Sequence, residues 1–301
     1  MVKKLVFKFY YELIRTISRS GIARILLPLK VRKEVGRFLR QRVHAVTSLD
    51  SSRSYNVLGH RMWFLPKSRN IQGMVFGTYE RDTVELFRKI VRPGMIFMDV
   101  GAYVGFYTLL VARLVGPGGR VYAFEPNPEA FRVLQRNVEE NGYQDRVRAM
   151  PKAVSNSVKR VKLYVPDEKV GEASFYADER INAKDIEVKT IVLDEFLAGE
   201  CCPKVHLVKI DVEGAEVEVL EGMRETIRRS PNMKLIIEFN PSNQMKAMGT
   251  CGRFFDTLLK LGFRRFYAIR HGLQTVQLPE GIDKLIQMTE TTNFVNLLCE
   301  R

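Results

Sequence analysis

The sequence predicts an α/β fold in which a largely parallel sheet carries helices on both faces, preceded by a basic helical segment. Three observations predict it. From Met95 onward, short apolar runs that read as strands alternate with stretches of helical periodicity over short connections, the rhythm of a parallel sheet with helical crossovers. One apolar run ends in Asp99 and is followed by Gly101, Gly105 and a helix, the strand–turn–helix of a Rossmann-like sheet. Twelve lysines and arginines stand in residues 1–45 against Glu12 and Glu34, so most of the formal net charge of +14 precedes that core.

The first element expected is a basic amphipathic segment over 1–50. Leu5, Phe9, Leu13 and Ile17 recur every four residues and Gly21 ends the run. Such a helix suits peripheral contact with an anionic membrane, or packing on the body of the protein. A small strand and helix cap region follows over 51–92. Tyr55–Leu65 reads as strand with a turn at Gly59-His60, and Thr78–Val91 as a helix stopped before Pro93-Gly94. The α/β domain takes up 93–301. Its strands are expected at 95–100, 120–124, 146–150, 205–210, 234–239, 264–269 and 293–299, and its helices at 105–115, 127–141, 214–229 and 251–261. The last two strands are expected as an antiparallel hairpin after Leu261-Gly262, which completes seven strands. Residues 153–196 break the rhythm and read as an insertion at the sheet edge.

A chain of 301 residues, 46% hydrophobic and 27% charged, has the composition of an ordinary globular protein. Met95–Val115 is apolar over the length of a membrane span. It holds Asp99, Gly101, Gly105 and Arg113, however, and reads as a buried strand, loop and helix. Cys201, Cys202, Cys251 and Cys299 form neither a disulfide framework nor a metal knuckle. With no secretory signal legible, the expected location is cytoplasmic, with peripheral membrane contact through the basic segment.

The Met95–Thr108 stretch reads MIFMDVGAYVGFYT. Its glycines are spaced GxxxG, not GxGxxG, so it lacks the phosphate-binding fingerprint of dinucleotide folds. S-adenosyl-L-methionine has no phosphate and carries an amino acid on a cationic sulfur, which an acid at the strand end suits. Asp99 is the expected partner of its amino group, and Gly101, Tyr103 and Gly105 form the turn around it. The next strand delivers Glu125, followed by Pro126 and Asn127. An acid there accepts the two ribose hydroxyls. The Ala153 backbone is expected near the adenine. The bland alternative is that Asp99 and Glu125 merely cap turns.

Leu207–Glu216 reads LVKIDVEGAE, and KLIIEFN follows with Glu238 and Asn240. Both strands deliver acids to the carboxyl edge of the sheet, where open α/β folds bind ligands. Together, DVGAYVGFYT, FEPNP, KIDVEGAEVEVLEG and IIEFN resemble the FkbM-type methyltransferases over about residues 77–301, with KIDVEGAE the most specific block. The resemblance implies a class I methyltransferase sheet, S-adenosyl-L-methionine as donor, and usually O-methylation of a hydroxyl on a sugar, glycan, lipid-linked or secondary-metabolite acceptor, with nitrogen methylated by some similar members. Gly77–Glu80 (GTYE) resembles the segment ahead of the family's core and adds Glu80 to the donor-binding set. Where the family often has DVGANxG, this chain has Tyr103.

Methyl transfer is an in-line displacement that needs an aligned, deprotonated acceptor oxygen. Asp211 or Glu213 is the expected base, with Glu238 positioning the acceptor, and Asp211 is shared with the donor site. Glu216 belongs to the same group of acids. The oxygens of Asp211, Glu213 and Glu238 suit magnesium, but the reading taken is one without a metal; the bland alternative has Glu213 and Glu216 capping a helix and Glu238 paired with a lysine. His206 reads as a core residue. The basic tail raises RNA as a rival substrate, yet the core lacks aromatics interleaved with basic residues and an Asn-Pro-Pro-aromatic loop, which argues against nucleic acid. A non-catalytic donor-binding scaffold is the other rival. Oligomeric state is not legible.

Overall fold

The computed structural model describes residues 49–66, 68, 70–167, 171–177, 182–201, 203–290 and 292–301. The basic helix expected over 1–50 lies, apart from its last two residues, outside the described residues, and so does its membrane contact. In chain order, a hairpin of β1 (Tyr55–Val57) and β2 (His60–Met62) precedes α1 (Ile71–Phe76) and α2 (Arg81–Ile90). The core then runs β3 (Ile96–Val100), α3 (Phe106–Val115), β4 (Arg120–Phe124), α4 (Pro128–Glu140) and β5 (Val147–Met150). An insertion supplies β6 (Ala153–Val154), β7 (Arg160–Pro166) and β8 (Ala183–Ile191), followed by α5 (Leu193–Gly199). The chain continues through β9 (Leu207–Ile210), α6 (Glu216–Glu221), α7 (Arg224–Arg229), β10 (Lys234–Phe239), α8 (Pro241–Met248) and α9 (Gly252–Lys260). It ends with β11 (Arg265–Ile269), β12 (Leu273–Val276), α10 (Ile282–Thr289) and β13 (Val295–Glu300).

The main sheet has the order β12-β11-β13-β10-β9-β3-β4-β5. Strands β3, β4, β5, β9 and β10 are parallel, and β13 is inserted antiparallel between β10 and β11. From β3 the chain first winds outward to β5 and then returns to build β9 and β10 on the other side. The crevice between the carboxyl ends of β3 and β9 is therefore the switch point, where open α/β sheets take their ligands. Alternation along the strands fills both faces. Phe97, Leu207, Ile236 and Leu298 pack with Phe87, Leu109 and Leu134 of the helices on one side. Met98, Val208, Leu235 and Leu297 pack with Leu197, Val219, Ile227 and Leu258 on the other. Burying each such side chain contributes about 1.5–3 kcal/mol. This is the Rossmann-like α/β fold expected. The apolar stretch 95–115 divides into β3 and α3, and no described helix is long and apolar enough to cross a membrane.

The structure corrects several expected elements. The sheet has eight strands, not seven, because β12 pairs with β11 at the edge. Strands β11 and β13 are antiparallel neighbours but not a hairpin. The turn at His271-Gly272, both with positive φ, closes β11 onto β12 instead, and α10 intervenes before β13. The helix expected over 214–229 is broken at Gly222, where a Cβ would stand 2.2 Å from the Ser155 carbonyl oxygen; the insertion presses on the chain there. The helix expected over 78–91 begins at Arg81, and α1 ahead of it is stopped by the left-handed Gly77. Helices α5, α8 and α10 were not expected. His206 is exposed, not in the core, and its Nδ1 accepts the Ile96 amide at 2.9 Å, at the edge of the sheet away from the switch point.

Two asparagines fasten the cap region to α4. Asn137 Nδ2 donates to the Trp63 and Val104 carbonyls and its Oδ1 accepts the Trp63 amide at 2.7 Å. Asn141 exchanges the same pair of bonds with the Arg61 backbone. In the insertion, β8 lies between β6 and β7, while Ser174 contributes a single bridge to Tyr164.

Candidate active site

One face of the sheet turns from apolar to polar at the switch-point edge. Asp99 is paired in register with Lys209, Asp211 follows two residues on, and Glu238 is paired with Asn296 across β10 and β13. Period-two alternation puts all five on the face of Phe97, Leu207, Ile236 and Leu298. Lys209 Nζ stands 2.7 Å from Asp211 Oδ2 and 4.9 Å from the Tyr107 ring centroid. Helices α2 and α3 close the layer from above. Tyr107 Oη donates to Glu80 Oε2 at 2.6 Å, Asn296 Nδ2 donates to the same oxygen at 2.6 Å, and Thr108 Oγ1 donates to Asp99 Oδ2 at 2.6 Å. Burial raises the Asp99 carboxyl to about 6, against the opposing pull of Lys209 and Thr108. Burial alone would lower Lys209, but Asp211, Glu80 and Asp99 hold it above the ordinary lysine value.

The turn after β9 supplies the second group. Glu213 has a φ of 52° and Gly214 of 113°, which swings the Glu213 side chain beside Asp211. One oxygen from each of Asp211, Glu213 and Glu238 lies within 4.8 Å of the others. Asn243 Nδ2 of α8 donates to Glu213 Oε2 at 2.5 Å. Glu238 is 5% exposed and accepts no hydrogen bond from any described residue. Burial, then the charges of Asp211 and its neighbours, raises both Glu213 and Glu238 well above the usual carboxylate range. Such a cluster can take up a proton, orient a hydroxyl or surround a cation. Glu216 does none of these. It folds back to accept the Gly214 amide at 3.1 Å and Gln244 Nε2 at 2.6 Å, and so shapes the turn.

Each expected donor-site residue has a definite place. Gly101 has a φ of 86°, and a Cβ there would stand 1.8 Å from the Asp211 carbonyl oxygen. Its smallness thus serves the contact between the β3 and β9 turns. Gly105 makes room for Leu134 of α4. Tyr103 adopts a left-handed φ of 51°, a conformation that asparagine takes more readily. Its amide donates to Glu125 Oε2 at 2.8 Å, its hydroxyl to Ser68 Oγ at 2.9 Å, and its ring covers Gly171. The other Glu125 oxygen accepts the Asn127 amide at 2.8 Å, and burial raises this carboxyl to about 7. Pro126 is half-buried between them. Asn127 Oδ1 caps α4 through the Glu129 amide, which fixes the amide orientation and leaves Nδ2 buried without a partner. Ala153 is buried with Leu163, Val165 and Val188 in the insertion.

These features fit a positively charged nucleoside. Each Glu125 oxygen has one backbone partner and keeps a lone pair for a ribose hydroxyl. The buried Asn127 Nδ2 is a donor awaiting an acceptor. Around the crevice, Glu80, Asp99, Asp211, Glu213 and Glu238 outnumber Lys209, the one buried cation among the described residues. Sequence reasoning missed Lys209, Tyr107, Asn296, Asn243 and Gln244. For Lys209 a signal existed, since it lies two residues before Asp211 and so on the same strand face.

The family model of the methyltransferase FkbM domain matches residues 99–265, more than half of the 301 residues. The chain is similar to methyltransferase sdnD of Sordaria araneosa, at 33% identity over 42% of this chain and 60% of that protein. It is similar to 31-O-demethyl-FK506 methyltransferase FkbM of Streptomyces tacrolimicus, at 30% identity over 49% of this chain and 64% of that protein. It is also similar to hexuronic acid methyltransferase AglP of Haloferax volcanii, at 28% identity over 50% of this chain and 58% of that protein. The chain thus spans less than two thirds of the length of these relatives. The matched domain takes in Asp99, Glu125, Asp211, Glu213 and Glu238, and the chain belongs to the FkbM-domain methyltransferase family.

Proposed function

We propose that the protein is an S-adenosyl-L-methionine-dependent O-methyltransferase acting on a hydroxyl of a sugar, glycan, lipid-linked or secondary-metabolite acceptor. The observation that carries the reading is the meeting of Asp211, Glu213 and Glu238 beside the switch-point crevice, with their oxygens within 4.8 Å of one another. Two relatives are named for methylating 31-O-demethyl-FK506 and a hexuronic acid.

When bound, S-adenosyl-L-methionine supplies an electrophilic methyl group on a cationic sulfur. Glu125 receives the ribose hydroxyls and the Asn127 amide a further acceptor atom, while Glu80, Asp99, Gly101, Tyr103, Gly105 and Pro126 shape the crevice around the amino-acid end and ribose. The Ala153 backbone lies toward the adenine. Asp211 or Glu213 takes the proton from the acceptor hydroxyl, and Glu238 holds that hydroxyl in line. A carboxylate with raised proton affinity is the stronger base. Positive charge from the donor beside the cluster helps keep the base ionised, coupling donor binding to acceptor activation.

The test is single replacement by Asp211→Asn, Glu213→Gln and Glu238→Gln, with donor uptake measured by calorimetry. The expected result is a loss of turnover of at least about 100-fold in one of the first two variants, with donor uptake retained in Glu213→Gln and Glu238→Gln. Unchanged turnover in all three overturns the reading. The acceptor is sought by mass spectrometry of lipid-linked and polysaccharide extracts with and without the gene, as a mass difference of one CH2.

A further inference from the structure

The insertion builds a second cavity, distinct from the carboxylate crevice and about 300 Å³ in volume. It lies between β7, the segment 173–176 and the exposed side of α6. Its walls include the half-buried rings of Tyr164, Phe175 and Tyr176, with Lys159, Lys162 and Glu218 around them. Three properties of this cavity bear on what it holds.

The first is its aromatic lining. Flat rings half open to solvent offer apolar faces to a flat apolar surface. The second is an unmet acceptor. Glu218 Oε1 accepts the Tyr176 hydroxyl at 2.5 Å, while Glu218 Oε2 is buried without a hydrogen-bond partner. A buried acceptor left unpaired costs about 1–3 kcal/mol; Glu218 lines the cavity, and a turn of its side chain would bring that oxygen to a ligand's hydroxyl and remove the cost. The third is continuity with the carboxylate turn. The Tyr176 ring stands 3.2 Å from the position of a Cβ on Gly214, and Ser174 Oγ donates to the Glu213 carbonyl at 2.7 Å. One short segment thus forms a wall of the cavity and touches the turn that carries Glu213.

We propose that this cavity is a saccharide subsite, which seats a pyranose ring adjoining the sugar that presents its hydroxyl to Asp211 and Glu213. A pyranose has apolar C–H faces for Tyr164 and Phe175 and hydroxyl donors at its edge for Glu218. Lys159, which has no ion pair with any described residue, supplies a donor for ring or hydroxyl oxygens. An acyl chain or apolar peptide would leave Glu218 Oε2 unpaired, and a phosphate chain would meet its charge. The volume lies at the lower end of the range for small-molecule sites, about 300–1,000 Å³, enough for one ring. The proposal rests on the reading of the protein as a hydroxyl methyltransferase and names which part of the chain selects the acceptor.

Ligand-observed saturation-transfer NMR on the full chain tests it, with cellobiose, maltose and digalacturonate as probes. Glu218→Gln keeps shape and removes charge; Phe175→Ala removes one stacking face. The expected result is transfer to at least one disaccharide with the wild type and with Asp211→Asn, weakened at least about tenfold in Glu218→Gln and Phe175→Ala. Transfer to none of the probes, or transfer undiminished in Glu218→Gln, overturns the subsite. Calorimetry with S-adenosyl-L-methionine on the same samples separates the two readings. Donor uptake without sugar binding removes the subsite and leaves the proposed activity standing, whereas sugar binding without donor uptake removes the activity and leaves the subsite.

Discussion

Lys209 Nζ and Asp211 Oδ2 stand 2.7 Å apart on one strand, with the two side chains 3% and 20% exposed. Deleting one member of a buried ion pair leaves an uncompensated charge and costs about 3–5 kcal/mol. Lys209 also stands beside Asp99 and Glu80, so its loss leaves several acids without a counter-charge. Lys209→Met is expected to lose stability in that range at pH 7.5 and to recover part of it at pH 5.5, where acids can protonate. Urea unfolding at both pH values checks this. A variant as stable as the wild type, or one equally weakened at both pH values, contradicts the role.

Stability without ligand is expected to fall as pH rises from about 5 to 7.5. Burial raises Asp99 to about 6 and Glu125 and Glu216 to about 7, from ordinary values of 3.8 and 4.5. Between the ordinary and the raised values the folded chain holds more protons than the unfolded one, so the slope of unfolding free energy with pH is negative. Glu125 and Glu216 each contribute on the order of 3 kcal/mol across that window. A melting temperature that stays level or climbs over this range refutes the assignment. Added S-adenosyl-L-methionine should flatten the fall, because a bound cation favours the ionised acids.

At Gly101 both conformation and space exclude a side chain. Gly101→Ala forces a φ of 86° on alanine and a Cβ to 1.8 Å from the Asp211 carbonyl oxygen, so the β3 and β9 turns must separate. The expected loss is about 2–5 kcal/mol, together with donor uptake. Gly142→Ala is the comparison: its φ is 67° with nothing within 4 Å, and about 1–2 kcal/mol is expected. Equal melting temperatures for the two variants would show that the close approach at 101 is immaterial.

What the sequence disclosed follows from how local each signal is. Asp99, Glu125, Asp211 and Glu238 end apolar strands, and the turns after Asp99 and Asp211 carry glycine, so strand, acid and turn are all written within ten residues. Helix α8 had a local signal too: Asn240-Pro241 repeats the Asn127-Pro128 start of α4, and both asparagines cap their helices. Overlooking α8 hid Asn243 and Gln244, and with Gln244 the inward fold of Glu216. Asn296 had no local signal. It meets Glu80 and Glu238 only because β13 is inserted between β10 and β11, a pairing set by tertiary packing. At Gly101 the turn was legible, but its close contact with the Asp211 carbonyl was not, because that backbone is distant in sequence.

Chelation is expected to leave turnover within about twofold of the untreated enzyme. The oxygens of Asp211, Glu213 and Glu238 are spaced to surround a divalent ion, and a hard cation would require ionised oxygen ligands there. The local chemistry favours neutralisation from other sources. Lys209 already holds one Asp211 oxygen, Asn243 holds one Glu213 oxygen, and before the donor binds burial and mutual repulsion favour a proton on Glu213 and Glu238. A cationic donor at the crevice supplies the remaining positive charge. Dialysis against EDTA followed by assay, with magnesium or manganese added back, decides between the alternatives. If activity disappears on dialysis and returns with the metal, the three acids are ligands to an ion and the general-base assignment to Asp211 or Glu213 falls.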